Sequence, residues 1–146
     1  MMPKLAVLCL IAIITSCNSS VESDPITEDS TFVYDVYEPS EMALLMNHML
    51  EVNGGIKKEL IEGEIPKDFP EEFLNIYTAE LTETKYRTDI FEAYSKVFID
   101  NEKDIFDTNN EVPLIEKYNN AINTCLACHK TECVGPIPKI RKLLIN

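Results

Sequence analysis

Cys125-Leu126-Ala127-Cys128-His129 places two thiols and an imidazole within five consecutive residues. The spacing C-x-x-C-H reads as the attachment site of a c-type haem. On a helix, Cys125 and Cys128 lie one turn apart, so both sulfurs face one porphyrin edge and can add to its vinyl groups. His129 follows directly and supplies the fifth ligand of the iron, the proximal nitrogen. Two other chemistries use the same residue types. A thioredoxin-like dithiol belongs beside a βαβ pattern, which does not flank this motif. A zinc site could draw on Cys125, Cys128, His129 and Cys133, but structural zinc usually takes two separated ligand pairs and no second pair exists.

The start of the chain fits a protein that acquires haem after export. Lys4 is a short positive region, and residues 5–14 are an almost unbroken apolar run, too short to span a bilayer as a mature helix. The run ends in Ile14-Thr15-Ser16-Cys17, which resembles a bacterial lipobox. That resemblance implies cleavage before Cys17 and acylation of Cys17, with several acyl chains giving stable anchoring. Residues 1–16 are then a lipoprotein signal peptide, and the domain sits in the bacterial cell envelope, in the periplasm or at the surface, on the inner or outer membrane. Of the five cysteines, Cys9 leaves with the signal, Cys17 takes lipid, and Cys125 and Cys128 take haem. Cys133 is left over; its expected role is that of a small buried apolar residue.

Cleavage leaves roughly 130 residues, one domain's worth. The formal net charge of −12 becomes −13 once Lys4 is lost. Nucleic acid is therefore excluded as a partner, as is adsorption to an anionic membrane surface; the membrane is met through the lipid anchor only. Acidity favours a redox partner with a basic face. Lys117, Lys130, Lys139, Arg141 and Lys142 gather around the haem motif. They are either solvated side chains near helix ends or a set that pairs with haem propionates and docks a partner.

These residues need elements to position them. Residues 17–38 read as an acidic tether, rich in Ser, Asp, Glu and Thr at its start, and about twenty flexible residues hold a domain roughly 25 Å from the lipid. Within it, residues 31–37 are β-branched and aromatic and read as an extended segment laid on the domain. From residue 39 to 146 the pattern is helical. Ser40 caps a first helix in which Met42, Leu45, Met46, Met49, Val52, Ile56 and Leu60 recur at helical spacing up to Gly63. Residues 70–81 form a shorter second helix with Phe73, Leu74 and Tyr77 inward. Residues 88–106 form a third, carrying Ile90, Phe91, Tyr94, Val97, Phe98 and Ile105. A fourth starts near Pro113 and runs through Leu114, Ile115, Tyr118 and Ile122 into the haem motif. After Gly135-Pro136, residues 138–145 form a short tail helix.

Four helices with C-x-x-C-H at the end of the last resemble the cytochrome c′ family. The resemblance covers about residues 39–145 at the level of helix order, and its one specific motif is Cys125-x-x-Cys128-His129. In that family an aromatic-Arg pair usually follows the motif, where this chain has Lys130-Thr131-Glu132-Cys133, the pattern of a divergent branch. The resemblance implies an all-α fold: an antiparallel four-helix bundle with one covalent haem c at the C-terminal end. It also implies a homodimer through the first two helices, and a first helix that covers the distal haem face.

Low-spin relatives place a Met on that face, and high-spin relatives leave the iron open. This chain offers Met42, Met46 and Met49 on one helical face, with His48 off that face. Counting back from Gly63, which resembles the glycine closing the family's first helix, Met46 lies nearest the ligand position. Met–His ligation implies outer-sphere electron transfer, whereas open iron implies an NO- or CO-binding scavenger or sensor. Enzymatic turnover of a bound peroxide is not expected, because Arg87, Arg141 and two histidines are the only residues of their kinds. The reading is a lipid-anchored mono-haem cytochrome c in electron transfer.

Overall fold

A computed structural model describes residues 38–82 and 84–146. The signal peptide and nearly all of the tether lie outside the described residues, Cys17 included. Every regular element among the described residues is helical. None of these helices is long and apolar enough to cross a membrane.

Helix α1, Glu41–Glu62, begins where the Ser40 hydroxyl accepts from the Ala43 amide at 3.2 Å. It ends at Gly63, whose φ of 80° is left-handed, and the Glu64 amide turns back to the Glu59 carbonyl at 2.8 Å. Met42, Leu45, Met49, Asn53, Ile56 and Leu60 form its buried stripe. Helix α2, Asp89–Phe106, is capped by the Thr88 hydroxyl, which accepts from the Phe91 amide at 2.9 Å. Helix α3, Leu114–Glu132, starts after Pro113 and carries the whole C-x-x-C-H motif in its last turns. Gly135 and Pro136 then turn the chain into the short helix α4, Ile137–Ile140, which tightens into a 3-10 turn at Arg141–Leu143.

The expected second helix is instead a 3-10 segment, Glu71–Tyr77. Its buried residues, Phe73 and Ile76, are three apart, which is the period of that helix. Seven residues are too few for an α-helix to hold by its own hydrogen bonds. The register also differs: Ile76 points inward and Tyr77 outward. Elsewhere Ile90, Val97 and Ile115 face solvent, and Ser95, Ile99 and Glu102 share the buried stripe of α2 with Phe91, Phe98 and Ile105.

Helices α2 and α3 pack along much of their length, whereas α1 meets α3 over a short stretch and also contacts the 3-10 segment and the final turn. The interior falls into two apolar clusters. One gathers Met42, Leu45 and Met49 of α1 with Phe73, Phe91 and Phe98. The other gathers Ile56 and Leu60 with Ile105, Tyr118, Ile122 and Leu143. Cys125 and Val52 touch both. The first cluster lies beside the motif and forms the wall that the candidate site shares with α1.

Candidate functional site

The end of α3 sets the geometry of the motif. Cys125 and Cys128 are half-buried, one turn apart, and both line a cavity of about 40 Å³ together with His129. Met46 and Met49 close the cavity from α1, and Phe91, Tyr94 and Phe98 from α2. On its other side His129 lines a second cavity of about 200 Å³, with Asn47, Leu50, Gly135 and Lys139. Met46 lines this one too, so Met46 and His129 stand together in the wall between the two spaces.

His129 is held by the way its helix ends. Cys133 closes α3 with an extended backbone, φ −161° and ψ 91°, which turns its carbonyl toward the ring. His129 Nδ1 lies 2.8 Å from that oxygen. A carbonyl only accepts, so Nδ1 carries the proton and Nε2 keeps its lone pair. This is the arrangement that fixes the tautomer and orientation of a metal-binding imidazole. Nearby, Asn101 Nδ2 donates to Thr124 Oγ1 at 2.9 Å and Thr124 Oγ1 to the Asn120 carbonyl at 3.0 Å. These bonds tie α2 to α3 one residue before the motif.

Burial governs the two thiols. It pushes Cys125 far above the usual thiol range, with the charges of Glu102 and Cys128 adding to the effect. Cys128 is pushed up to about 11, by burial first and then by the charge of Glu132. Neither thiol resembles the low-pKa nucleophile of a dithiol oxidoreductase. A zinc set is not assembled either: no cluster of three or more His, Cys, Asp or Glu able to hold a metal ion occurs among the described residues.

The residues present fit a c-type haem by their donors: two thiols on one face, an imidazole with its outward nitrogen free, and a thioether on the facing helix. The slot itself is tighter than a porphyrin. Seating one would require its walls to part.

Not every residue expected at the site reaches it. Met42 lies in the first apolar cluster, away from the cavity. His48 Nε2 bonds Glu72 Oε1 at 2.9 Å on the outer face, and this bond holds the Glu72 carboxyl below its usual range. Cys133 is exposed rather than buried, and its contribution is its carbonyl oxygen. Lys117 is buried and donates to the Asp107 carbonyl at the end of α2, so it belongs to no surface ring; of the five basic residues Lys139 lines the second cavity. Arg87 donates to the carbonyls of Ile76 and Ala79, at 3.3 and 2.7 Å, and is engaged in holding the 3-10 segment.

Four buried polar residues are not foreseen from the sequence: Ser95 and Thr124, which line the first cavity, and Glu102 and Asn53. Glu102 and Asn53 lie beneath the cavity, one turn beyond Phe98 and Met49. The same periodicity that identifies the apolar stripes marks both positions as inward.

No family model matches the chain, and neither a curated protein nor a solved structure matches it.

Proposed function

We propose that the protein is a mono-haem c-type cytochrome that carries single electrons, with haem joined to Cys125 and Cys128 and iron held by His129 and Met46. The observation that carries this reading is the 2.8 Å contact from His129 Nδ1 to the Cys133 carbonyl, which leaves Nε2 its lone pair on a ring that lines the same cavity as the two cysteines. Met46, on the neighbouring helix α1, supports it, since it lines the same two cavities as His129. Helices α1, α2 and α3, with the 3-10 segment in place of the second helix, stand for the four members of a cytochrome c′-like bundle. When bound, the haem supplies the one-electron chemistry. The chain's own residues would hold it, Cys125 and Cys128 the ring and His129 and Met46 the iron, while Phe91 and Phe98 would exclude water; iron with two protein ligands suits electron transfer rather than catalysis. Lys139, which lines the second cavity, would be the basic residue to pair with a propionate.

The lipobox at Cys17 extends the proposal to a bacterial lipoprotein, anchored to the inner or outer membrane, which exchanges electrons with a basic partner protein. The test is covalent attachment. The full-length chain, matured in cells competent for cytochrome c assembly, should keep its haem through denaturation and solvent extraction. Replacing both Cys125 and Cys128 by Ser should release it. A mature protein free of haem overturns the proposal.

A further inference from the structure

Asn53 and Glu102 interrupt an otherwise apolar interior. Asn53 stands between Met49 and Ile56 in the stripe of α1, and Glu102 between Phe98 and Ile105 in that of α2. They form a polar layer between the two apolar clusters. Asn53 Nδ2 donates to the Met49 carbonyl at 3.2 Å, and the Tyr118 hydroxyl donates to the Asn53 carbonyl at 2.9 Å. Three acceptors are left without a donor: Asn53 Oδ1 and both carboxyl oxygens of Glu102. Glu102 is fully shielded from solvent. A buried carboxylate with neither cation nor donor is strongly disfavoured. One proton on Glu102 removes the charge and supplies a donor for Asn53 Oδ1.

We propose that Glu102 is a redox-linked proton site, binding one proton when the neighbouring haem gains one electron and releasing it on oxidation. The inference rests on the haem reading above. Cys125, the first thiol of the motif, packs against both of the apolar clusters that flank this layer, so the layer and the cofactor site adjoin; the charge of Glu102 accordingly adds to the upward push on that thiol. The electron comes from a donor protein and the proton from water. The only bond made on the chain is O–H at Glu102, and oxidation breaks it again. The sign follows from charge: an added electron disfavours the carboxylate, and its removal favours it.

Burial already places the Glu102 carboxyl at about 7, against a smaller opposing pull from Asn53, so a modest electrostatic change moves its protonation near neutrality. Tyr118 is the titratable group that faces it from α3, held neutral by burial, and Cys125 beside it would no longer titrate once joined to haem. Helix α1 faces it with Asn53, and the 3-10 segment packs the apolar Phe73 and Ile76 against α2.

The test is a potentiometric titration of the haem-loaded protein across a range of pH, for the native chain, Glu102→Gln and the control His48→Gln. The native protein and the His48 variant should show a midpoint potential that falls as pH rises through neutrality. Glu102→Gln should be flat there. Redox-difference infrared spectra of the native protein supply a second readout that needs no variant: a neutral carboxylic acid band that appears on reduction and shifts in heavy water. A slope that survives in Glu102→Gln, or a native protein with neither slope nor band, overturns the proton site alone. A protein that purifies without a Soret band overturns the haem reading and this inference with it, and does so before any potential is recorded.

Discussion

His129 Nδ1 lies 2.8 Å from the carbonyl oxygen of Cys133, four residues on, where α3 ends. The bond turns a helix terminus into a device that aims an imidazole. Helical backbone at Cys133 would direct this carbonyl along the axis, and the extended conformation there swings it toward the ring. In the proposed cytochrome, ligation by His129 would depend on where α3 stops as much as on the motif it contains.

Removing the imidazole should separate attachment from ligation. His129→Gly should keep haem on Cys125 and Cys128 but lose the low-spin spectrum. Added imidazole should restore that spectrum, because Nε2 is the only part of His129 assigned to the iron. Optical titration with imidazole checks this; no response would place the proximal ligand elsewhere.

The three methionines of α1 should behave differently. Met46→Ala should abolish the sulfur-to-iron charge-transfer band of the ferric protein. Met42→Ala should leave the band intact and lower stability by about 2–4 kcal/mol, since Met42 is a core residue away from the cavity. Spectra and denaturant melts on the same samples decide between the two behaviours. A band that survives in Met46→Ala but vanishes in Met49→Ala transfers the ligand to the other methionine of the cavity.

Much of this was legible in the chain. The C-x-x-C-H spacing identifies the thiols and imidazole, Ser40 caps the first helix as its type and place suggest, and the other two long helices start at the expected positions, after Thr88 and Pro113. The 3-10 segment was not legible, because Phe73 is inward in either helix type and only the register of Ile76 against Tyr77 separates them. The acceptor for His129 was hidden for another reason: it is a backbone oxygen, and no side chain at position 133 announces it. Glu102 lay in plain view, a charged residue in phase with Phe98 and Ile105, and the period that found its neighbours also points it inward.

Stability should carry the signature of that residue. Its folded-state pKa is raised to about 7 by burial, above the ordinary value of 4.5. The folded chain therefore binds this proton more tightly than the unfolded one, so the contribution of Glu102 to stability is full below pH 4.5 and is lost as pH rises through 7. The loss amounts to about 3 kcal/mol. Glu102→Gln should show none of it, so the gap between variant and native protein should widen across this window. Chemical denaturation at several pH values measures it, and parallel curves for the two proteins would contradict the account.

The end of α1 offers a test of the fold alone. Gly63 adopts φ 80°, and a Cβ there would meet nothing within 4 Å. Gly63→Ala should therefore cost only the backbone strain of a left-handed residue, about 1 kcal/mol. A drop of several degrees in melting temperature with an unchanged spectrum is expected. A spectral change would mean that this helix end also sets the position of Met46.

The most direct test of the central claim is the state of the iron in the purified protein. Electron paramagnetic resonance and optical spectra of the ferric form, followed by carbon monoxide added to the reduced form, read both axial positions at once. The account predicts a low-spin ferric signal, a sulfur-to-iron charge-transfer band and no shift with carbon monoxide. A high-spin ferric signal with ready carbon monoxide binding would contradict it and make this a gas-binding site.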